Sequence, residues 1–232
     1  MRSSRNWNQI REPRITPDFC PASLGSVLIE MGGTKVICAV SLDREVPEHA
    51  SAKGKGWLTA EYSLLPYSTS GRTPRPLLKR DGRAVEIQRL LGRVLRGAID
   101  LQKIPGYSLT VDCDVLQADG GTRTAAITGG YIALRKAARA MVERGMIADD
   151  PVGTQVAAIS VGIVDGKTLL DLDFSEDSAA AVDLNVVMDG SLNLIEIQGT
   201  GEKSSFSRAE LNAMVDLAAH GIRELLDIQK KY

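Results

Sequence analysis

The chain has 232 residues, 44% of them hydrophobic and 25% charged, which suits a soluble globular protein with a sizeable core. A formal net charge of −1, from 28 Lys and Arg against 29 Asp and Glu, argues at first sight against a strongly basic nucleic-acid binder. The longest run without a charged residue, Pro151–Val164, has 14 residues and falls short of the ~20 needed to cross a bilayer.

The first half reads as strands followed by a helix. Gly25–Met31 and Thr34–Ser41 flank Gly32-Gly33, a two-residue hairpin connection. Trp57–Leu64 is a third extended segment, and residues 47–56 before it read as a loop. A second loop, Pro66–Arg80, is long for a compact domain, a property of functional or mobile loops. From Arg83 to Leu101 the period becomes helical: Ile87, Leu90, Leu91, Val94, Leu95, Ala98 and Ile99 form a stripe, and Arg89, Arg93 and Arg96 form a row opposite it. Leu109–Leu116 alternates as a strand, and a helix is predicted from Gly121-Thr122 to about Arg144.

The second half predicts two hairpins and a closing helix. Gln155–Val164 pairs with Lys167–Phe174 around Asp165-Gly166, and Val182–Met188 pairs with Asn193–Gln198 around Asp189-Gly190. Ser207 and Glu210 form a capping box for the last helix. With no disordered linker and no repeat, the expectation is one α/β (α+β) domain over residues 1–232, with mixed sheets around central helices.

The near-zero charge hides a division. Residues 1–100 carry 16 cations and 10 acids, whereas residues 101–232 carry 12 and 19. Arg72 to Arg96 alone holds eight cations, including Lys79 and Arg80, against Asp81 and Glu86. That stretch is either a solvated helix face or a phosphate-binding surface, for which arginine forks are suited. Cys20, Cys38 and Cys113 have no metal-ligand spacing, and the start of the chain shows no signal peptide, so a reduced, cytoplasmic protein with no membrane partner is expected.

Three features carry chemistry. Asp119–Thr124, DGGTRT between strand and helix, combines close backbone approach at the glycines, free N–H groups at a helix start, the Thr122 hydroxyl and the Arg123 charge. It is either an anion cradle or a capped turn. Glu176, Asp177 and Asp183 place three carboxylates within eight residues, able to hold Mg²⁺ or a proton, or simply solvated on a surface loop. Arg83 opens a helix, where a cation opposes the dipole unless it meets an anion. Arg72 and Arg75 are candidate phosphate-backbone contacts for a nucleic acid, or solubilising loop charges.

GSVLIEMGGTKVIC, KGKGWLTAEYSLLP, GRAVEIQRLLGRVLR, DCDVLQADGGTRTAAITGG, AAISVGIVDG, EDSAAAVDLNVVM and IEIQGTGEKSSFSRAEL occur in one order from Gly25 to the carboxyl end. In these blocks the chain resembles the bacterial ribonuclease PH family of phosphorolytic 3′→5′ exoribonucleases. The resemblance implies a ribosomal-protein-S5-like βαβ fold, a homohexamer built as a trimer of dimers, and RNA, including tRNA precursor 3′ ends, as substrate. It implies inorganic phosphate as co-substrate, bound by Arg83, Gly121, Thr122 and Arg123, and Mg²⁺ or Mn²⁺ with Asp177 and Asp183 as catalytic and metal-associated acids. It also implies that Arg72 and Arg75 hold RNA.

The chain departs from the family pattern within residues 1–20, where Ser3–Trp7 replaces an Asp-Gly-Arg opening. It departs again at Tyr67, where an arginine is usual, and at Ala181, where a glutamate is common. The alternative, a catalytically silent RNA-binding ring subunit, would lack phosphate-binding or acidic residues that this chain retains.

Overall fold

The alternating segments assemble into two sheets, and the helical stripes fill the space around them. A computed structural model describes residues 2, 5–75 and 82–232. The elements are β1 (Pro13–Pro17), β2 (Gly25–Met31), β3 (Thr34–Asp43), α1 (Glu48–Ser51), β4 (Trp57–Leu64), α2 (Gly82–Ala98) and β5 (Ser108–Gln117). They continue as α3 (Thr122–Glu143), β6 (Val156–Val164), β7 (Lys167–Leu170), α4 (Phe174–Ala179), β8 (Val182–Asp189), β9 (Leu194–Gly201) and α5 (Arg208–Gln229).

The first sheet has the order β1-β2-β3-β5-β4. Its β4 and β5 run parallel and are joined through α2, a βαβ unit. The second sheet, β7-β6-β8-β9, is antiparallel throughout. Helix α3 lies between the sheets, packed on β2, β3 and β5 and on β6. It is buried all round from Thr124 to Leu134, an apolar stretch without a polar face, and reaches the surface only at its C-terminal part, where Arg139 and Glu143 are exposed. The close approach depends on Gly129, where a Cβ would come within 2.7 Å of Ile29 and 2.9 Å of Cys38 Sγ. Helix α2 covers β4, α5 covers β6, and a single apolar cluster runs through both sheets.

The mixed α/β architecture with two sheets and central helices is as expected, and all three predicted hairpins form. Several boundaries differ. The segment 47–56 contains the one-turn α1, and α2 stops at Ala98 because Ile99 leaves it to bridge Val152. Strand β1, bounded by proline at both ends, pairs only with β2 at the sheet edge, where a missing N–H is tolerated. Lys79, Arg80 and the end of the predicted loop lie outside the described residues.

The largest correction concerns Lys167–Phe174. The strand ends at Leu170 because Asp171 adopts φ 54°, a left-handed conformation uncommon outside glycine. Its carboxylate is thereby turned into a buried cluster of arginines. Arg11 grips it with two nitrogens, Nη2 to Oδ1 at 2.6 Å and Nε to Oδ2 at 3.0 Å, and adds its backbone N–H at 2.7 Å. Arg5 Nη1 donates to Oδ2 at 3.3 Å. Arg5 and Arg2 then reach Glu176, at 3.1 Å and at 2.6 and 2.7 Å. The divergent amino-terminal segment is thus bound to the base of α4 by ion pairs 160 or more residues apart in sequence.

Candidate active site

The DGGTRT turn is set by its neighbours before any ligand is considered. Thr34 Oγ1 accepts from the Asp119 N–H at 2.9 Å and donates to the Gly120 carbonyl at 2.6 Å. Arg11 Nη1 donates to the Asp119 carbonyl at 2.6 Å. Gly120 and Gly121 have φ of 73° and 64°, and a Cβ at Gly120 would lie 2.4 Å from the Leu172 carbonyl, so glycine is needed there for both shape and space. Gly121 is the N-cap of α3 and supplies no capping side chain. The first N–H groups of a 22-residue helix therefore keep their anion-binding capacity.

Side chains around this helix start bear the charges. Arg123 donates to Gln198 Oε1 on β9 at 2.8 Å and lies 3.4 Å from Glu86 Oε1 on α2. Gln198 Nε2 also donates to Glu86 at 3.0 Å, so the arginine head is held between α2 and the second sheet. Arg83, the second residue of α2, acts electrostatically on Asp177 and on the phenol of Tyr62. Arg123 acts on both of these and on Asp183. Arg83, Arg123, Asp177 and Asp183 therefore share one electrostatic neighbourhood, although they come from α2, α3, α4 and β8.

The acids differ from ordinary surface carboxylates. Burial raises the pKa of Asp177, opposed by the charges of Arg83 and Arg123. Burial, followed by the charge of Asp177, pushes Asp183 up to about 6. Asp183 Oδ2 accepts from Asn185 at 3.1 Å, whereas its Oδ1 is buried with no hydrogen-bond partner among the described residues. A buried carboxylate oxygen left without a donor is uncommon and costly, and it points to a cation or proton at that atom.

Not every sequence candidate joins this group. Glu176 sits one residue before Asp177, but α4 turns it the other way, where it closes a capping box with Asp173 and binds Arg2 and Arg5. Arg72 and Arg75 are exposed on the segment after β4, and Arg75 acts on Asp114, on the face of β5 away from α3. The cationic row of α2 takes the bland role: Arg93 pairs with Glu196 at 2.7 Å, and Arg96 donates to the Leu58 carbonyl and stacks on Trp57. Sequence reading did not single out Tyr62, Gln198 or the buried Arg11–Asp171 pair. Of these, Tyr62 and Gln198 carried a signal, since they lie in the KGKGWLTAEYSLLP and IEIQGTGEKSSFSRAEL blocks.

The 3′ exoribonuclease family matches the chain in two parts, domain 1 over residues 9–140 and domain 2 over residues 154–221. The chain belongs to the 3′ exoribonuclease family. The ribonuclease PH of Crocosphaera subtropica is 51% identical over 227 residues, covering 98% of this chain and 95% of that one. That of Syntrophomonas wolfei is 53% identical over 229 residues, covering 98% and 96%. The fold recurs at lower identity. A chain of an Archaeoglobus fulgidus exosome with RNA bound to the active site has a TM-score of 0.82 at 23% identity, covering 96% of this chain and 90% of that one. An archaeal exosome core gives 0.79 at 22%, covering 97% and 89%. Among the described residues of this family member, no helix is long and apolar enough to cross a membrane.

Proposed function

We propose that this chain is a phosphorolytic 3′→5′ exoribonuclease that removes 3′-terminal nucleotides from RNA, including tRNA precursors, and releases nucleoside diphosphates. The observation that carries the reading is one neighbourhood holding two arginines, an uncapped helix start and a buried carboxylate oxygen without a partner among the described residues. Its half-identical relatives named ribonuclease PH support the same reading.

The reaction joins two anions. An oxygen of inorganic phosphate attacks the phosphorus of the terminal phosphodiester, and the bond to the 3′ oxygen of the preceding nucleotide breaks. The attacking phosphate becomes the β-phosphate of the released diphosphate, and the shortened RNA keeps a 3′ hydroxyl. Arg83, Arg123, the Thr122 hydroxyl and the N–H groups after Gly121 offset the repulsion and align the attack. No side-chain nucleophile is required. Without a metal the Asp177–Asp183 pair, with Asp183 pushed up to about 6, shares a proton near neutrality; with a metal on Asp183, Asp177 is the acid assigned to the departing 3′ oxygen.

A divalent metal fits this site. Asp183 Oδ1 offers an unused buried oxygen and Asp177 a second carboxylate, while no three His, Cys, Asp or Glu converge among the described residues. That donor set suits Mg²⁺ or Mn²⁺, which take one or two carboxylates and complete their shell with water and phosphate oxygens. When bound, the ion would supply charge neutralisation for the transferring phosphoryl group.

Arg72 and Arg75, exposed and cationic, are assigned to the RNA backbone beyond the reacting nucleotide. The single unit 1–232 is assigned to a cytoplasmic homohexamer, a trimer of dimers. Exposed Leu194, Ile195 and Ile197 along edge strand β9 support assembly. Incubation with 3′-tailed RNA and Mg²⁺, with and without phosphate, tests the reaction. Nucleoside diphosphate forming only with phosphate is expected, and monophosphate forming without it would overturn the proposal.

A further inference from the structure

We infer that Tyr62 is a positioning residue that sets the Thr122 hydroxyl as a donor toward bound inorganic phosphate, an inference resting on the phosphorolytic reading of this site. Tyr62 lies on β4 and is 3% exposed. Its hydroxyl donates to Thr122 Oγ1 at 2.8 Å, a buried contact from the first sheet to the first residue of α3. Burial raises the phenol's pKa, against the pull of Arg83 and Arg123, so the group keeps its single proton.

That proton is committed to Thr122. With Tyr62 donating, Oγ1 is the acceptor, and the threonine's own hydrogen is left for a different acceptor. No second partner of Thr122 Oγ1 occurs among the described residues. The surroundings define what the missing acceptor is. Thr122 follows the left-handed Gly121, its backbone N–H is among the free groups of the helix start, and Arg83 and Arg123 act on the same phenol. An anion with several acceptor oxygens meets all of these donors together, and inorganic phosphate is that chemistry. The two hydroxyls then form a chain, phenol to threonine to phosphate, in which each bond polarises the next. Without the phenol, the Thr122 hydroxyl can rotate and donate to a protein carbonyl instead.

The test is a four-variant comparison with 3′-tailed RNA and Mg²⁺ at varied phosphate: wild type, Tyr62→Phe, Thr122→Val and the double variant. Tyr62→Phe is expected to raise the KM for phosphate about 3- to 10-fold, the loss of one hydrogen bond. The KM for RNA stays at its wild-type value and kcat at saturating phosphate changes by less than the KM for phosphate, while the Tm without phosphate falls by about 2–4 °C, because the lost hydrogen bond is already present in the unliganded protein. Because Tyr62 acts through Thr122, the double variant matches Thr122→Val rather than multiplying the two losses. The phosphate-induced rise in Tm gives the same order without turnover. An unchanged phosphate KM in Tyr62→Phe, multiplicative losses, or an equal rise in the KM for RNA would each overturn the positioning role. Failure of the underlying reading is separate, since wild type would then release nucleotides without phosphate.

Discussion

Two arginine–carboxylate clusters flank the segment 171–183, and they are built in opposite ways. In the first, Asp171 and Glu176 face Arg2, Arg5 and Arg11, and all four carboxylate oxygens accept hydrogen bonds at 2.6–3.3 Å. In the second, Asp177 and Asp183 are partly buried near Arg83 and Arg123, their pKa values are raised, and Asp183 Oδ1 has no partner among the described residues. The first cluster is saturated and fastens the amino-terminal segment to the frame of the site. The second is left short of donors, so part of its charge is available for a ligand. Charged groups of the same kind thus serve architecture where they are satisfied and chemistry where they are not.

Replacing one acid from each cluster separates these roles. Asp183→Asn removes a carboxylate proposed to hold the metal or a proton, and kcat for phosphorolysis is expected to fall about 10²- to 10⁴-fold. Its resistance to denaturant stays equal or increases, because a neutral amide avoids burying an unpaired charge. Asp171→Ala does the reverse. It leaves Arg11 and Arg5 buried without their acid and costs about 3–5 kcal/mol in urea or guanidinium unfolding. The residual folded fraction keeps its KM for phosphate. A stable Asp171→Ala protein, or an unstable Asp183→Asn protein, would reverse the assignment.

The pH dependence of stability gives a smaller, directional contrast. Asp183 titrates at about 6 in the folded chain against an ordinary 3.8. Between those values the folded state binds a proton that the unfolded state does not. Through this group stability therefore rises as pH falls from about 7 toward about 4. In a chelated sample, subtracting the Asp183→Asn profile from that of wild type should show that rise. A flat difference would mean that Asp183 is not desolvated.

The sequence made the three hairpins legible because Gly32-Gly33, Asp165-Gly166 and Asp189-Gly190 carry their signal locally. The long helices were legible for the same reason, through their apolar period and, for α5, the Ser207–Glu210 box. Local signal failed at 171–174, where alternation in LLDLDF imitates a strand. The left-handed turn at Asp171 accompanies its pairing with Arg11, 160 residues away, which no window of sequence contains. The same limit explains the acids. Asp177 and Glu176 are neighbours in sequence, but successive helical residues point about 100° apart, so one faces the site and the other the clamp. The resemblance already named Asp177 and Asp183 rather than Glu176, and Arg83 and Arg123 with them; what the fold adds is that these four share one neighbourhood and that Glu176 is turned into the arginine cluster.

The central claim is that the under-satisfied cluster transfers RNA's terminal nucleotide to inorganic phosphate. The most direct measurement follows ¹⁸O-labelled phosphate, with 3′-tailed RNA and Mg²⁺, by mass spectrometry of the released nucleotide. Phosphorolysis predicts the label in the β-phosphoryl group of a nucleoside diphosphate, and its loss in Arg123→Ala while RNA binding persists. Release of unlabelled nucleoside monophosphate at the wild-type rate, with or without phosphate, would contradict the account.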